Sequence, residues 1–278
     1  MTDVIIPNEK EFNEKLKRLI LGGKDNLHVI SDFDATLSKS LSSNEKSNTT
    51  FGKIQNSGLL GESFERKSKE LKDYYQPIEH SIGLAKEEKA VKMREWTVKA
   101  WNLIVESKLN RSLIDEINEN QKIEMRLGAL DFVTDVTSID IPLLIYSGGI
   151  KEIIDGALKE EASMEVLSNY FLFDDQGEIN GWIPKLIDSS AKTGDYIKQF
   201  SHFEKIKEKD HVIVMGDLVE DLRVLEGLDH QVELKIGFLN RNVEENLDIF
   251  KEKFDVVIIN DGPMTFVNEM IKQIIETS

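Results

Sequence analysis

The 278-residue chain contains no cysteine, which excludes a disulfide framework, a thiolate nucleophile and Cys-ligated zinc or iron–sulfur centres. Any metal must sit on oxygen or histidine. The chain also lacks an apolar run approaching the roughly 18–20 residues of a bilayer span, and residues 1–15 are acidic where a targeting segment would be basic. No membrane association is expected, and the default address is cytoplasmic. Positive charge is scarce as well: 35 Lys plus Arg stand against 51 Asp plus Glu, a formal charge of −16. That excess repels polyphosphates at long range and argues against a nucleic-acid polymer as partner. A phosphate site must then supply its own local positive charge. What the chain does have is 40% hydrophobic residues, enough to build cores and to exclude disorder throughout. Its length suits one large or two modest domains.

The first strong strand signal is the apolar run Leu27–Phe33, which ends in acid. A polar, Ser- and Asn-rich connection follows over 38–58, including Ser38, Ser40, Asn44 and Asn48. From about Glu62 to Val136 the pattern is helical, with Trp101, Ile104, Val105 and Leu109 at three- and four-residue spacing, which reads as a helical insert. After Pro142, short β-rich runs alternate with helical stretches. The expected elements are a strand at 143–146, a helix from Lys151, and a hairpin over 166–173 turning at 174–177. A helix over 195–207, a strand at 211–215 and a helix over 219–226 come next. The chain closes with strands at 232–238 and 255–259 and helices near 243–250 and from Met264. Such alternation specifies an α/β fold, a parallel sheet covered on both faces, with loops at the carboxyl ends of its strands free to bind ligands.

The sharpest chemical feature is Asp32-Phe33-Asp34-Ala35-Thr36, where an apolar strand runs out. Residues i and i+2 of an extended chain share a face, so both carboxylates can point at one ligand. Two such anions repel unless a cation separates them or one is protonated, and Mg²⁺, which takes oxygen ligands, would resolve the conflict. A second acidic strand end is Gly216-Asp217-Leu218-Val219-Glu220-Asp221, with Asp217 near a helix start and Asp221 one turn on. In Tyr146-Ser147-Gly148-Gly149 a strand gives way to a small-residue loop ahead of a helix, a setting suited to phosphate oxygens. Lys192, in Ser189-Ser190-Ala191-Lys192, offers the positive charge that the chain otherwise lacks. Trp96 and Trp101, five residues apart on one helix, are separated by roughly 140° and cannot both face one core.

In chain order, Asp-x-Asp-x-Thr, strand-Ser-Gly, loop Lys and Gly-Asp-x-x-x-Asp resemble the four motifs of the haloacid-dehalogenase-like superfamily. Arg94-Glu95-Trp96, Leu127-Gly128 and the run 234–240 are similar to the cytosolic 5′-nucleotidase III, or pyrimidine 5′-nucleotidase, group. The resemblance implies a Rossmann-like core over 1–40 and 140–278 and a helical cap over 41–139. It implies Mg²⁺-dependent hydrolysis of nucleoside 5′-monophosphates of pyrimidine or 7-methylguanosine type through an aspartyl-phosphate. Asp32 would be the nucleophile and Asp34 the proton donor and base. Asp32, Asp34 through its carbonyl, Asp217 and Asp221 would serve the metal, while Ser147, Gly148 and Lys192 would hold the phosphoryl group. Glu95 would face the nucleoside, and a substrate-contacting Ser position of the family falls at Gln121. Leu218 and Glu220 depart from the family's fourth motif and add negative charge beside the metal. The alternatives are a phosphatase of another small phosphomonoester and a non-catalytic acidic interaction protein on the same fold. The sequence leaves the oligomeric state open.

Overall fold

The computed structural model describes residues 3–43, 46–79, 81, 84–158, 162–183, 185–188 and 191–276. Asn44 of the polar connection and Ser189 and Ser190 of the lysine loop lie outside the described residues. The chain begins with β1 (Val4–Ile5) and α1 (Glu9–Gly22), then β2 (Leu27–Ser31). Five helices follow: α2 (Thr50–Gln55), α3 (Gly61–Glu79), α4 (Lys86–Glu106), α5 (Arg111–Asn120) and α6 (Ala129–Thr137). The alternating half contains β3 (Leu143–Ile150), α7 (Lys151–Ala157), β4 (Met164–Asn169), β5 (Phe171–Phe173) and β6 (Ile179–Trp182). It continues through α8 (Gly194–Ile197), α9 (His202–Ile206) and β7 (His211–Gly216) to a 3₁₀ helix at Val219–Leu225. It ends with β8 (Val232–Leu239), α10 (Val243–Lys253), β9 (Val256–Ile259) and α11 (Thr265–Glu276).

The main sheet has the order β1-β9-β8-β7-β2-β3-β4 and is parallel except for β1, which pairs antiparallel with β9. From β2 the chain crosses to β3 on one side and later to β7 on the other. The strand order therefore reverses at β2, the position where open α/β sheets form their ligand crevice. Alternation along the strands divides the core between the two faces. Val29, Leu143, Ile145, Ile213 and Met215 belong to a buried cluster shared with residues of α6 and α11, whereas Ile30, Leu144, Val212 and Val214 pack with Ile197, Ile206 and Val224. Such near-continuous apolar strands are what burial on both faces requires. The helix α6 packs against β3 and α11, and α3 packs along α4.

Three local readings change. The run 166–173 is not one hairpin arm: β4 joins the main sheet, and only β5 pairs with β6. Asn169 marks the break, donating to the carbonyls of Gly148 (2.8 Å) and Ile187 (2.7 Å) and accepting from the Ile187 N–H. The helix expected over 195–207 is two short ones, α8 and α9, and the helix at 219–226 is 3₁₀. The short β1 strand and α1 add to the sheet edge and one face without a reading in the sequence above.

Candidate active site

Because β7, β2 and β3 are neighbouring parallel strands, the residues at their carboxyl ends emerge along one edge. Asp32 continues the ladder beyond β2, its N–H donating to the Met215 carbonyl at 2.9 Å. The side chains of Asp32, Asp217 and Asp221 each bring an oxygen within 4.8 Å of the others. Asp221 reaches back to the strand end because Gly216 leaves room: a Cβ there would lie 2.4 Å from the Asp221 side chain. Lys192 Nζ donates to Asp32 Oδ1 at 2.6 Å and to Asp221 Oδ1 at 2.8 Å. Burial opposes its charge, yet Asp221 and Asp32 together hold its pKa above the ordinary lysine value. Burial also raises the pKa of Asp32, against the pull of Lys192, and raises that of Asp217, where Asp221 and Asp32 add repulsion. Three clustered carboxylates, those of Asp32 and Asp221 buried and that of Asp217 half-buried, against one ammonium leave negative charge uncompensated. An all-oxygen donor set of this kind fits a hard divalent cation.

The turn after Asp32 is held from behind. Ala35 adopts φ 60°, a left-handed conformation unusual for a residue with a Cβ. Its N–H donates to Ser38 Oγ (3.0 Å), and its carbonyl accepts from Arg126 Nη2 (2.7 Å) and Asn240 Nδ2 (2.8 Å). Arg126 is 1% exposed and also donates to the Thr36 carbonyl (2.7 Å), the Gly262 carbonyl (2.8 Å) and Asp261 Oδ1 (3.3 Å). The sequence reading passed over this residue. Its one signal is a charged side chain immediately before Leu127-Gly128, where a solvated position is the default.

At the end of β3 the small-residue loop is less open to a ligand than its sequence suggests. The Gly149 N–H donates to Ser147 Oγ (3.0 Å) and the Ile150 N–H to Thr50 Oγ1 (3.1 Å). That leaves the hydrogen of the buried Ser147 hydroxyl as a donor toward the site. Asp34 is raised to about 7 by burial and by the neighbouring Asp32, with hydrogen bonds from Thr50 opposing.

These groups border a cavity of about 400 Å³ roofed by the helical insert. Asp32, Asp34, Ser147, Gly148, Lys192 and Asp217 line it from the sheet; Phe51, Gln76, Glu79, Trp96 and Trp101 line it from the helices. Both tryptophans thus border the cavity, although Trp101 also packs into the core against Phe171 (4.6 Å between centroids) while Trp96 stacks on Tyr75 (5.8 Å). Glu95 is not brought to the site. It lies in a separate groove between α3 and α4, paired with Lys99 (2.6 Å) and Lys92 (3.2 Å), and those pairs with Tyr75 hold its pKa down near 2. This placement has a simple cause, since one residue on a helix turns the side chain by about 100° and Trp96 takes the inward position. Gln121 is also outside the cavity lining: it ends α5 and its Nε2 donates to the Ser57 carbonyl at 2.9 Å. The insert touches the sheet side elsewhere. Arg94 Nη1 donates to the Leu186 carbonyl at 2.6 Å, and Lys89 is ion-paired with Glu220. The extra acid of the fourth motif is therefore neutralised from the insert.

Among the described residues no helix is long and apolar enough to cross a membrane. Known proteins match nearly the whole length of the chain. The family model for "Pyrimidine 5′-nucleotidase (UMPH-1)" matches residues 35–275. The 7-methylguanosine phosphate-specific 5′-nucleotidase B of Xenopus laevis is 31% identical over 267 residues, covering 94% of this chain and 92% of the relative. The human 7-methylguanosine phosphate-specific 5′-nucleotidase is 30% identical over 277 residues, covering 98% and 92%. A crystal structure of cytosolic 5′-nucleotidase IIIB bound to cytidine shares the fold with a TM-score of 0.87 at 24% identity, over 100% of this chain and 95% of that one. A substrate-bound phosphoserine phosphatase shares it more distantly, with a TM-score of 0.56 at 16% identity over 88% and 97% of the two chains. The fold is the one these two structures share, and the chain belongs to the pyrimidine 5′-nucleotidase (UMPH-1) family.

Proposed function

We propose that this chain, a 5′-nucleotidase and so a phosphoric monoester hydrolase by its family, hydrolyses nucleoside 5′-monophosphates of pyrimidine or 7-methylguanosine type in the cytosol. The observation that carries the reading is convergence: Asp32, Ser147, Lys192 and Asp217, drawn from four separated stretches of chain, border one cavity at the sheet's carboxyl edge. Residues 1–40 and 140–278 are taken as the catalytic core and 41–139 as the cap, with α6 returning the chain to the sheet.

In the first step an Asp32 carboxylate oxygen attacks phosphorus, the P–O5′ bond breaks, and Asp34 gives its proton to the departing ribose oxygen. In the second, Asp34 takes a proton from water as that water's oxygen attacks phosphorus, which releases phosphate and restores both carboxyl groups. The raised pKa of Asp34 supports this role, because an acid that must also serve as a base works best near the operating pH. Lys192 and the Ser147 hydroxyl hold phosphoryl oxygens, and the flat faces of Phe51 and Trp96 suit a base. Asp32, the Asp34 carbonyl, Asp217 and Asp221 would hold Mg²⁺, which supplies positive charge against the transferring oxygens.

The test is phosphate release from UMP, CMP and 7-methyl-GMP with and without magnesium. Magnesium-dependent turnover of at least one is expected, and Asp32→Asn lowers it by about 10⁴-fold or more while leaving the unfolding transition in place. No turnover of any of the three removes the substrate assignment.

A further inference from the structure

Asp34 is gripped by a residue that none of the four motifs contains. The backbone N–H of Thr50 donates to Asp34 Oδ1 at 2.8 Å and the Thr50 hydroxyl lies 2.8 Å from Asp34 Oδ2. A third bond holds the hydroxyl from its other side. The Ile150 N–H, which can only donate, points at Thr50 Oγ1 from 3.1 Å. Thr50 Oγ1 accepts there through one lone pair, and its hydrogen is directed to Asp34 Oδ2. Each Asp34 oxygen therefore meets a donor on the Thr50 side, and a proton carried by Asp34 cannot sit on either lone pair facing Thr50. It is left on the side of the carboxyl group that faces the cavity.

We infer that Thr50 is a positioning residue that aims the Asp34 proton at the leaving oxygen. The inference rests on the reading of Asp34 as acid and base. Thr50 opens α2, at the base of the cap insert, while Ile150 ends β3; the arrangement thus joins cap and core through the proton donor itself. It also explains why residue 149 is glycine: a Cβ there would lie 2.6 Å from Thr50 Oγ1 and 3.1 Å from Asp34 Oδ2.

Thr50→Val removes the hydroxyl while keeping the shape and the backbone N–H, and Thr50→Ser keeps the hydroxyl. Single-turnover release of uridine from UMP and of p-nitrophenol from p-nitrophenyl phosphate reads the first step alone, and the phenol needs little protonation to depart. For Thr50→Val, uridine release is expected to fall about 10–100-fold with KM within about twofold, p-nitrophenol release about threefold or less. Thr50→Ser should recover most of the uridine rate. Gly149→Ala, which crowds the hydroxyl without removing it, is expected to show the same leaving-group selectivity and serves if Thr50→Val unfolds. Equal loss on both substrates, or a Thr50→Ser enzyme as slow as Thr50→Val, overturns the inference. Asp34→Ala run beside them separates the two levels. Selective slowing with Asp34→Ala and none with Thr50→Val sinks the role of Thr50 alone, whereas equal slowing of both substrates by Asp34→Ala sinks the acid role and the inference with it.

Discussion

In the core, Asp32 and Asp217 each follow strands whose register pairs Ser31 with Met215, and both meet at one edge. In the cap, Glu95 and Trp96 are neighbours in sequence, yet one faces an outer groove and the other the cavity. The difference lies in what sets direction. A parallel ladder aligns the ends of adjacent strands whatever lies beyond them, so an acidic residue after an apolar run is placed by hydrogen-bond geometry. A helix spreads its residues around an axis, and only docking against another surface decides which of them points inward. Carboxylates in the core can therefore be read from their place at a strand end, while cap residues cannot be read from composition.

The strongest way to break this contrast is to loosen the core edge from behind. Arg126→Met keeps the bulk of the side chain but strips donors from the carbonyls of Ala35, Thr36 and Gly262 and leaves Asp261 without its buried partner. A loss of about 3–5 kcal/mol in urea unfolding is expected. A loss below about 1 kcal/mol would mean that the turn at Ala35 holds its shape unaided.

A smaller effect is expected where cap and core meet. Burial pushes Glu79 up to about 7, with Lys89 opposing. The folded state then binds this proton more tightly than the unfolded chain, so the stability linked to Glu79 is present at low pH and is lost as pH rises through about 7. Metal-free Glu79→Gln is expected to melt about 2–4 °C above the parent at pH 8 and level with it near pH 5. A pH-independent difference would place Glu79 in water and the cap away from the sheet.

The least effect sharpens the contrast within one helix. Glu95→Ala should leave kcat and KM for UMP and 7-methyl-GMP within about twofold and the unfolding midpoint where it is. A tenfold loss confined to one base would instead turn Glu95 inward during turnover.

Much of the fold was legible because its signals are local. Apolar runs such as 27–31 and 211–216 end in Gly or acid, and their alternation with helical stretches leaves few topologies. Other features were illegible for equally local reasons. A single Asn169 splits an extended run by bonding two carbonyls, of Gly148 in β3 and of Ile187, that lie on either side of it in the chain. Arg126 reads as a solvated charge until the backbone it supports is folded around it, and Thr50 reads as one polar residue among many in a connection.

By itself the sequence determined the element types, the parallel α/β class and the chemistry available at the strand ends, because these depend on periodicity and on residues near one another in the chain. Only tertiary structure decided that Lys192 bridges Asp32 and Asp221, that Lys89 neutralises Glu220, and that Trp96 rather than Glu95 meets the cavity. Those contacts join residues far apart in the chain or depend on helix phase, and such relations exist only once the elements have docked.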